Sequence, residues 1–167
     1  NELGLFRRAE VEMKNMNGQG SGVLHMAELE GLPLEQRVER FFEANMAFFN
    51  SDAKKATFLE GVLAQKLLNI QWMDKNATPF RSKLHGLKMN EALIKRLLPE
   101  IQNKLDEYGK NHYYQDLERI IASHFVLSEV DWKEADGELS FYFALGMNLH
   151  KLFKNARYDA EVVEGDA

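Results

Sequence analysis

Cysteine is absent from the 167 residues. That excludes a disulfide framework, a thiolate metal site and a cysteine nucleophile. No apolar run approaches the roughly 20 residues needed to cross a bilayer. No basic stretch precedes an apolar one in the manner of a secretory leader. A cytoplasmic protein without membrane contact is therefore expected. Strand-like alternation is absent, and there is no internal repeat. The glycines of Asn17–Gly22 lack the dinucleotide-fingerprint spacing and follow no strand, so they read as a flexible loop. Neither His-Glu-x-x-His nor Glu-x-x-His occurs, no phosphate-binding loop is present, and no serine sits in a nucleophile-elbow context. The isolated His25-x-x-Glu28 pair lies in a flexible region. No pair of carboxylates stands out at a buried helical position. The residues supply no cofactor site, no metal site and no catalytic group.

What is present is a core. Apolar residues make up 45% of the chain, enough for one packed domain. Apolar positions recur at helical spacing. Gly31-Leu32-Pro33 opens a helix running to about Phe49. Ser51 or Asp52 caps the next, to about Met73, whose Gly61 and Ala64 are small enough for a neighbour to approach closely. Asn90 caps a third, in which Pro99 must kink the helix or begin a second segment. A fourth covers about 113–127, and Ser128–Gly137 forms an acidic turn. The last, about Glu138–Lys154, is apolar nearly all round and should be central, with Gly146 packed against another helix. Short connections favour antiparallel neighbours. The expected fold is all-α, a five- to six-helix antiparallel bundle over residues 32–158. A flexible N-terminal arm (1–31) precedes it and an acidic tail (159–167) follows. The chain starts at Asn1 rather than methionine, as a processed end or excision from a larger protein would leave it.

The net charge is −5, unlike a free-standing nucleic-acid binder. The charge is uneven, however. Between Lys75 and Arg96 stand Lys75, Arg81, Lys83, Lys88, Lys95 and Arg96 against the single acid Glu91. Such a strip on an acidic body suits contact with a polyanion along one face, though a solvated surface can carry the same cluster. Lysines and arginines bind phosphate without reading base identity. Lys54, Lys55 and Lys66 could extend the track if their helix packs alongside. Most aromatics fall on the apolar stripes and belong to the core. Trp72 is the best candidate for an exposed base-stacking platform, with Tyr113 another. His112, His124 and His150 are the only candidates for a metal-dependent helical enzyme.

The ordered set Phe58-Leu-Glu-Gly-Val-Leu63, Leu67-Leu-Asn-Ile-Gln71, Pro79-Phe80, Leu84-His-Gly-Leu-Lys88, Tyr108-Gly109 and Phe141-Tyr-Phe-Ala-Leu-Gly-Met-Asn-Leu149 resembles the C-terminal part of the large subunit of type I-B CRISPR Cascade complexes. It spans about residues 54 to 153. In that family the C-terminal bundle is also made separately, by internal translation, as the small subunit. The resemblance implies a non-catalytic subunit that meets guide RNA and target DNA and steadies the R-loop, including the displaced strand. Its implied partners are the Cascade large subunit, the backbone subunits and a second copy of itself. A bundle that only spaces protein neighbours is the other reading of the same resemblance.

Overall fold

The computed structural model describes residues 29, 31–73, 89–107, 119–121, 129–135 and 137–153. They form four α-helices: α1 (Leu34–Ala44), α2 (Asp52–Met73), α3 (Glu91–Glu107) and α4 (Leu139–Asn148). Two 3-10 turns, Trp132–Ala135 and His150–Phe153, flank α4. No strand occurs among the described residues, so the all-α expectation holds. The fourth expected helix, about 113–127, lies outside the described residues except for 119–121, which are helical. The arm and the tail also lie outside them, apart from the arm's last residues. Leu29, on the arm side of the expected boundary, is wholly buried in the core.

Local chemistry explains where the helices start. Gly31 takes φ +83°, a left-handed turn open to glycine without strain, and Pro33 then occupies the N-cap of α1. The hydroxyl of Ser51 accepts the backbone N–H of Lys54 at 3.3 Å. Asn90 Oδ1 accepts the N–H of Leu93 at 2.9 Å. Each satisfies a donor that the first helical turn leaves unpaired.

Two helices end earlier than their apolar patterns imply, each beside an asparagine that bonds back to the preceding turn. Asn45 Nδ2 donates to the Phe41 carbonyl at 2.8 Å, and Asn148 Nδ2 donates to the Ala144 carbonyl at 2.8 Å. In each case the side chain bonds the carbonyl four residues back, and at Asn45 the backbone N–H shares that carbonyl at 3.2 Å. α1 stops at Ala44, not near Phe49. The following turn, closed by the Phe48 and Phe49 N–H groups on the Asn45 carbonyl, brings both consecutive rings into the core. A continuing helix would have set those two side chains about 100° apart. α4 likewise ends at Asn148, and a 3-10 turn buries Leu152 and Phe153. Pro99 does not begin a second segment: α3 is continuous through it, with the ring on the exposed side. There the carbonyl that loses its partner can be served by water.

The most extensive packing among the described elements is α2 against α4. Lys54 reaches over the Tyr142 ring, Gly61 lies against Phe143 and Met147, and Asn69 meets His150. The start of α2 lies by Tyr142 and its later turns by His150, just past α4, so the two run in the same general direction. They are not consecutive, so the short-loop preference for antiparallel neighbours does not apply to them. A Cβ on Gly61 would collide with the Phe143 carbonyl, and one on Gly146 with the Phe58 carbonyl. The expected close approach at both glycines is present. At one end of this pair an aromatic cluster gathers Phe41, Phe48, Phe49, Phe58, Tyr142 and Phe153, with Phe41 and Phe58 stacked at 5.1 Å. Each large apolar side chain so buried contributes about 1.5–3 kcal/mol. The Tyr142 hydroxyl donates to the Phe48 carbonyl at 2.7 Å. Arg37, also buried, donates from Nε to the Leu32 carbonyl (3.0 Å) and from Nη1 to that of Leu152 (3.1 Å), tying the start of α1 to the last turn.

Candidate nucleic-acid interface

α3 carries the described part of the basic strip. Its inner face is Leu93, Ile94, Leu97, Leu98, Ile101 and Leu105, all buried. Positions 95 and 96 consequently fall on the outer face, where Lys95 and Arg96 are exposed. Their height in the fold is set by two bonds at the start of the helix. One is the Asn90 cap. The other is the Met89 N–H donating to the Ser140 hydroxyl of α4 at 2.8 Å. Lys95 pairs with Glu91 at 2.9 Å, both side chains about half exposed. Such an i,i+4 surface pair contributes about 0.3–0.5 kcal/mol and is screened by salt. A phosphate can displace Glu91 at small cost.

Lys75, Arg81, Lys83 and Lys88 lie outside the described residues. Trp72 is in the last turn of α2, but its side chain is also outside them. Lys54 and Lys55 sit in the first turn of α2, half-buried. Lys54 Nζ donates to Asn50 Oδ1 at 2.9 Å and lies 5.6 Å from the Tyr142 ring centroid. Lys55 Nζ lies 5.8 Å from the Phe42 centroid, in a groove that also holds Glu39, Glu43 and Asp52. The local field at Lys55 is therefore negative, and a phosphate arriving there meets three carboxylates. On α3, Lys95 and Arg96 stand between Glu91 and Glu100.

Of the three histidines considered for a metal site, His112 and His124 lie outside the described residues. His150 has both ring nitrogens engaged: Nδ1 at 3.1 Å from the Met147 carbonyl, and Nε2 at 3.1 Å from Asn69 Nδ2. Gln65 donates to Asn69 Oδ1 at 2.9 Å, which turns the Asn69 amide toward His150. The neutral ring with its proton on Nδ1 satisfies every bond in this ladder. Among the described residues no group of three His, Asp or Glu side chains could hold a metal ion. None of the described helices is long and apolar enough to cross a membrane.

One titratable group escaped the sequence reading. Glu60 is 1% exposed, and neither carboxylate oxygen has a hydrogen-bond partner among the described residues. Burial away from water pushes its carboxyl well above the ordinary range, so it is held as the neutral acid. The signal was available. Ala53, Ala56, Leu63, Ala64 and Leu67 surround position 60 at helical spacing, and all are buried.

Residues 1–161 match the model of the family described as CRISPR-associated protein TM1802 (cas_TM1802) C-terminal domain. The chain belongs to that family. No curated protein and no solved structure matches it. The resemblance to a CRISPR-associated protein is thereby borne out at the level of the family. For a TM1802 C-terminal domain, the structure offers an apolar helical scaffold with two outward cations on α3 and an acidic groove elsewhere on the surface.

Proposed function

We propose that this TM1802 C-terminal domain is a non-catalytic small subunit of a type I-B CRISPR interference complex, and that it holds sugar-phosphate backbone during R-loop formation. The observation that carries the reading is the outward placement of Lys95 and Arg96 at the end of a basic strip on an otherwise acidic chain. Family membership supports work inside a CRISPR complex. In such a complex, guide pairing supplies the sequence readout, and exchanging a DNA duplex for a guide heteroduplex is nearly balanced in free energy. A few phosphate contacts are then enough to tip the exchange, and no base-reading side chain is required.

The test is an assembled complex carrying Arg81→Glu, Lys83→Glu, Lys88→Glu, Lys95→Glu and Arg96→Glu. Slower or incomplete R-loop formation, with the complex still assembled, supports backbone contact. R-loop formation equal to that of the unaltered complex refutes it and leaves the spacer reading, in which the bundle touches protein alone.

A further inference from the structure

The surface between α1 and the start of α2 carries an acidic, partly apolar groove. A cavity of about 480 Å³, open on one side, is lined by Val38, Phe42, Met46 and Phe49 together with Glu39, Glu43, Asp52 and Lys55. Met46 is 69% exposed, the one large apolar side chain so placed among the described residues. An unbranched, polarizable thioether adapts to different partners, which makes it a common element of protein-docking surfaces.

Two of the three acids around it, Glu39 and Glu43, are arranged against the interests of the isolated chain. Glu39 and Glu43 are spaced i,i+4, where like charges repel. Glu43 also lies in the last turn of α1, where the helix dipole already places negative potential, and no basic residue occupies that turn. Lys55 offsets one of the three carboxylates and is itself drawn over the Phe42 ring. Among the lining residues two negative charges remain in excess around an apolar floor. Nucleic acid and anionic lipid are repelled by that field. A cationic partner relieves both the carboxylate repulsion and the unfavourable dipole contact.

We propose that this groove docks a basic amphipathic segment of a partner protein. An apolar side chain of the segment rests on Phe42, Met46 and Phe49, and flanking lysine or arginine side chains meet Glu39, Glu43 and Asp52. The bundle thus has a protein-facing acidic groove apart from the exposed Lys95 and Arg96 of α3. The proposal rests on the α1–α2 groove alone and stands whether or not the α3 cations touch phosphate.

The experiment places the photo-cross-linking residue p-benzoylphenylalanine at position 46 of the full chain, in cells that carry the rest of the CRISPR complex, and identifies adducts by mass spectrometry. The expected adduct is a segment of another protein with an apolar side chain flanked by Lys or Arg. Its yield should fall at least about tenfold in a Glu39→Lys, Glu43→Lys chain, as a loss of two charge-assisted contacts requires. A synthetic peptide of the cross-linked sequence should bind the purified chain more weakly as salt rises. Changing its basic residues to Glu should restore binding to the Glu39→Lys, Glu43→Lys chain. An adduct to nucleic acid, to this chain itself or another copy of it, or to an uncharged or acidic segment overturns the proposal. So does the absence of any adduct from a chain with unaltered circular dichroism.

Discussion

Replacing Gly61 or Gly146 by alanine tests the packing that holds the scaffold together, because two effects of opposite sign compete at the same atom. At an ordinary interior helix position, glycine to alanine stabilises by about 1 kcal/mol through helix propensity. Here the added methyl points into the neighbouring backbone. At Gly61 it meets the Phe143 carbonyl and comes within 3.1 Å of the Met147 nitrogen; at Gly146 it meets the Phe58 carbonyl and comes within 3.1 Å of the Gly61 Cα. No rotamer change relieves a clash with main chain, so α2 and α4 must move apart along their most extensive contact. Overpacking of this kind costs about 1–3 kcal/mol and occasionally more. With the upper end applying to rigid neighbours, the net expected loss is about 2 kcal/mol after the propensity gain. For a domain of this size that lowers Tm by about 4–8 °C. Gly146→Leu should cost more than Gly146→Ala. Urea unfolding followed by circular dichroism measures the difference, with an unchanged m-value marking a pure stability effect. Because the two glycines touch, the double alanine variant should lose less than the sum of the singles. A single variant as stable as the parent, or more stable, would refute the close approach.

Tyr142→Phe leaves the Phe48 carbonyl without its donor inside the core and should cost about 1–2 kcal/mol in the same assay. Arg37→Met keeps most of the side-chain volume but removes both bonds to the Leu32 and Leu152 carbonyls. It should cost about 2–3 kcal/mol, and Arg37→Lys should recover little because one ammonium cannot span two carbonyls as the guanidinium does. Glu60→Leu should stabilise by about 1–3 kcal/mol at neutral pH by removing an orphaned buried polar group. Glu60 also has a signed pH signature. Its folded-state pKa is raised, so above the unfolded value of about 4.3 the unfolded chain releases a proton that the folded chain keeps. Stability is therefore lost as pH rises from there toward the folded pKa. Glu60→Gln should flatten that part of the stability–pH curve, measured by urea midpoints from acidic to neutral pH. A curve parallel to the parent's would contradict the assignment.

The α-helices were legible to the extent that they are made by periodic burial and short-range capping. Asn90 and Ser51 act as caps because their side-chain oxygens lie next to unpaired N–H groups, and that is a local fact. Gly61 and Gly146 were legible as small residues in otherwise bulky stripes. The ends at Asn45 and Asn148 were not, because Phe48, Phe49, Leu152 and Phe153 prolong the apolar pattern while reaching the core by turns. Periodicity registers that these residues are buried, not the path by which the backbone delivers them. At the candidate site, Lys95 and Arg96 fall outward as their place opposite Leu93, Ile94 and Leu97 requires. Lys55 has the right charge in the wrong surroundings. Its carboxylate neighbours Glu39 and Glu43 come from another helix, and only the tertiary packing brings them together. Glu60 was legible in principle, from its apolar neighbours at helical spacing, and was overlooked among many carboxylates.

The most direct test of backbone contact is the salt dependence of target-DNA binding by the assembled complex, with the unaltered subunit and with Lys95→Gln, Arg96→Gln. Each phosphate contact adds about 0.7 to the slope of log K against log salt on single strands and about 0.9 on duplex. Loss of two contacts should therefore make the slope shallower by about 1.4–1.8. Parallel lines for the two complexes would contradict the assignment of these cations to phosphate.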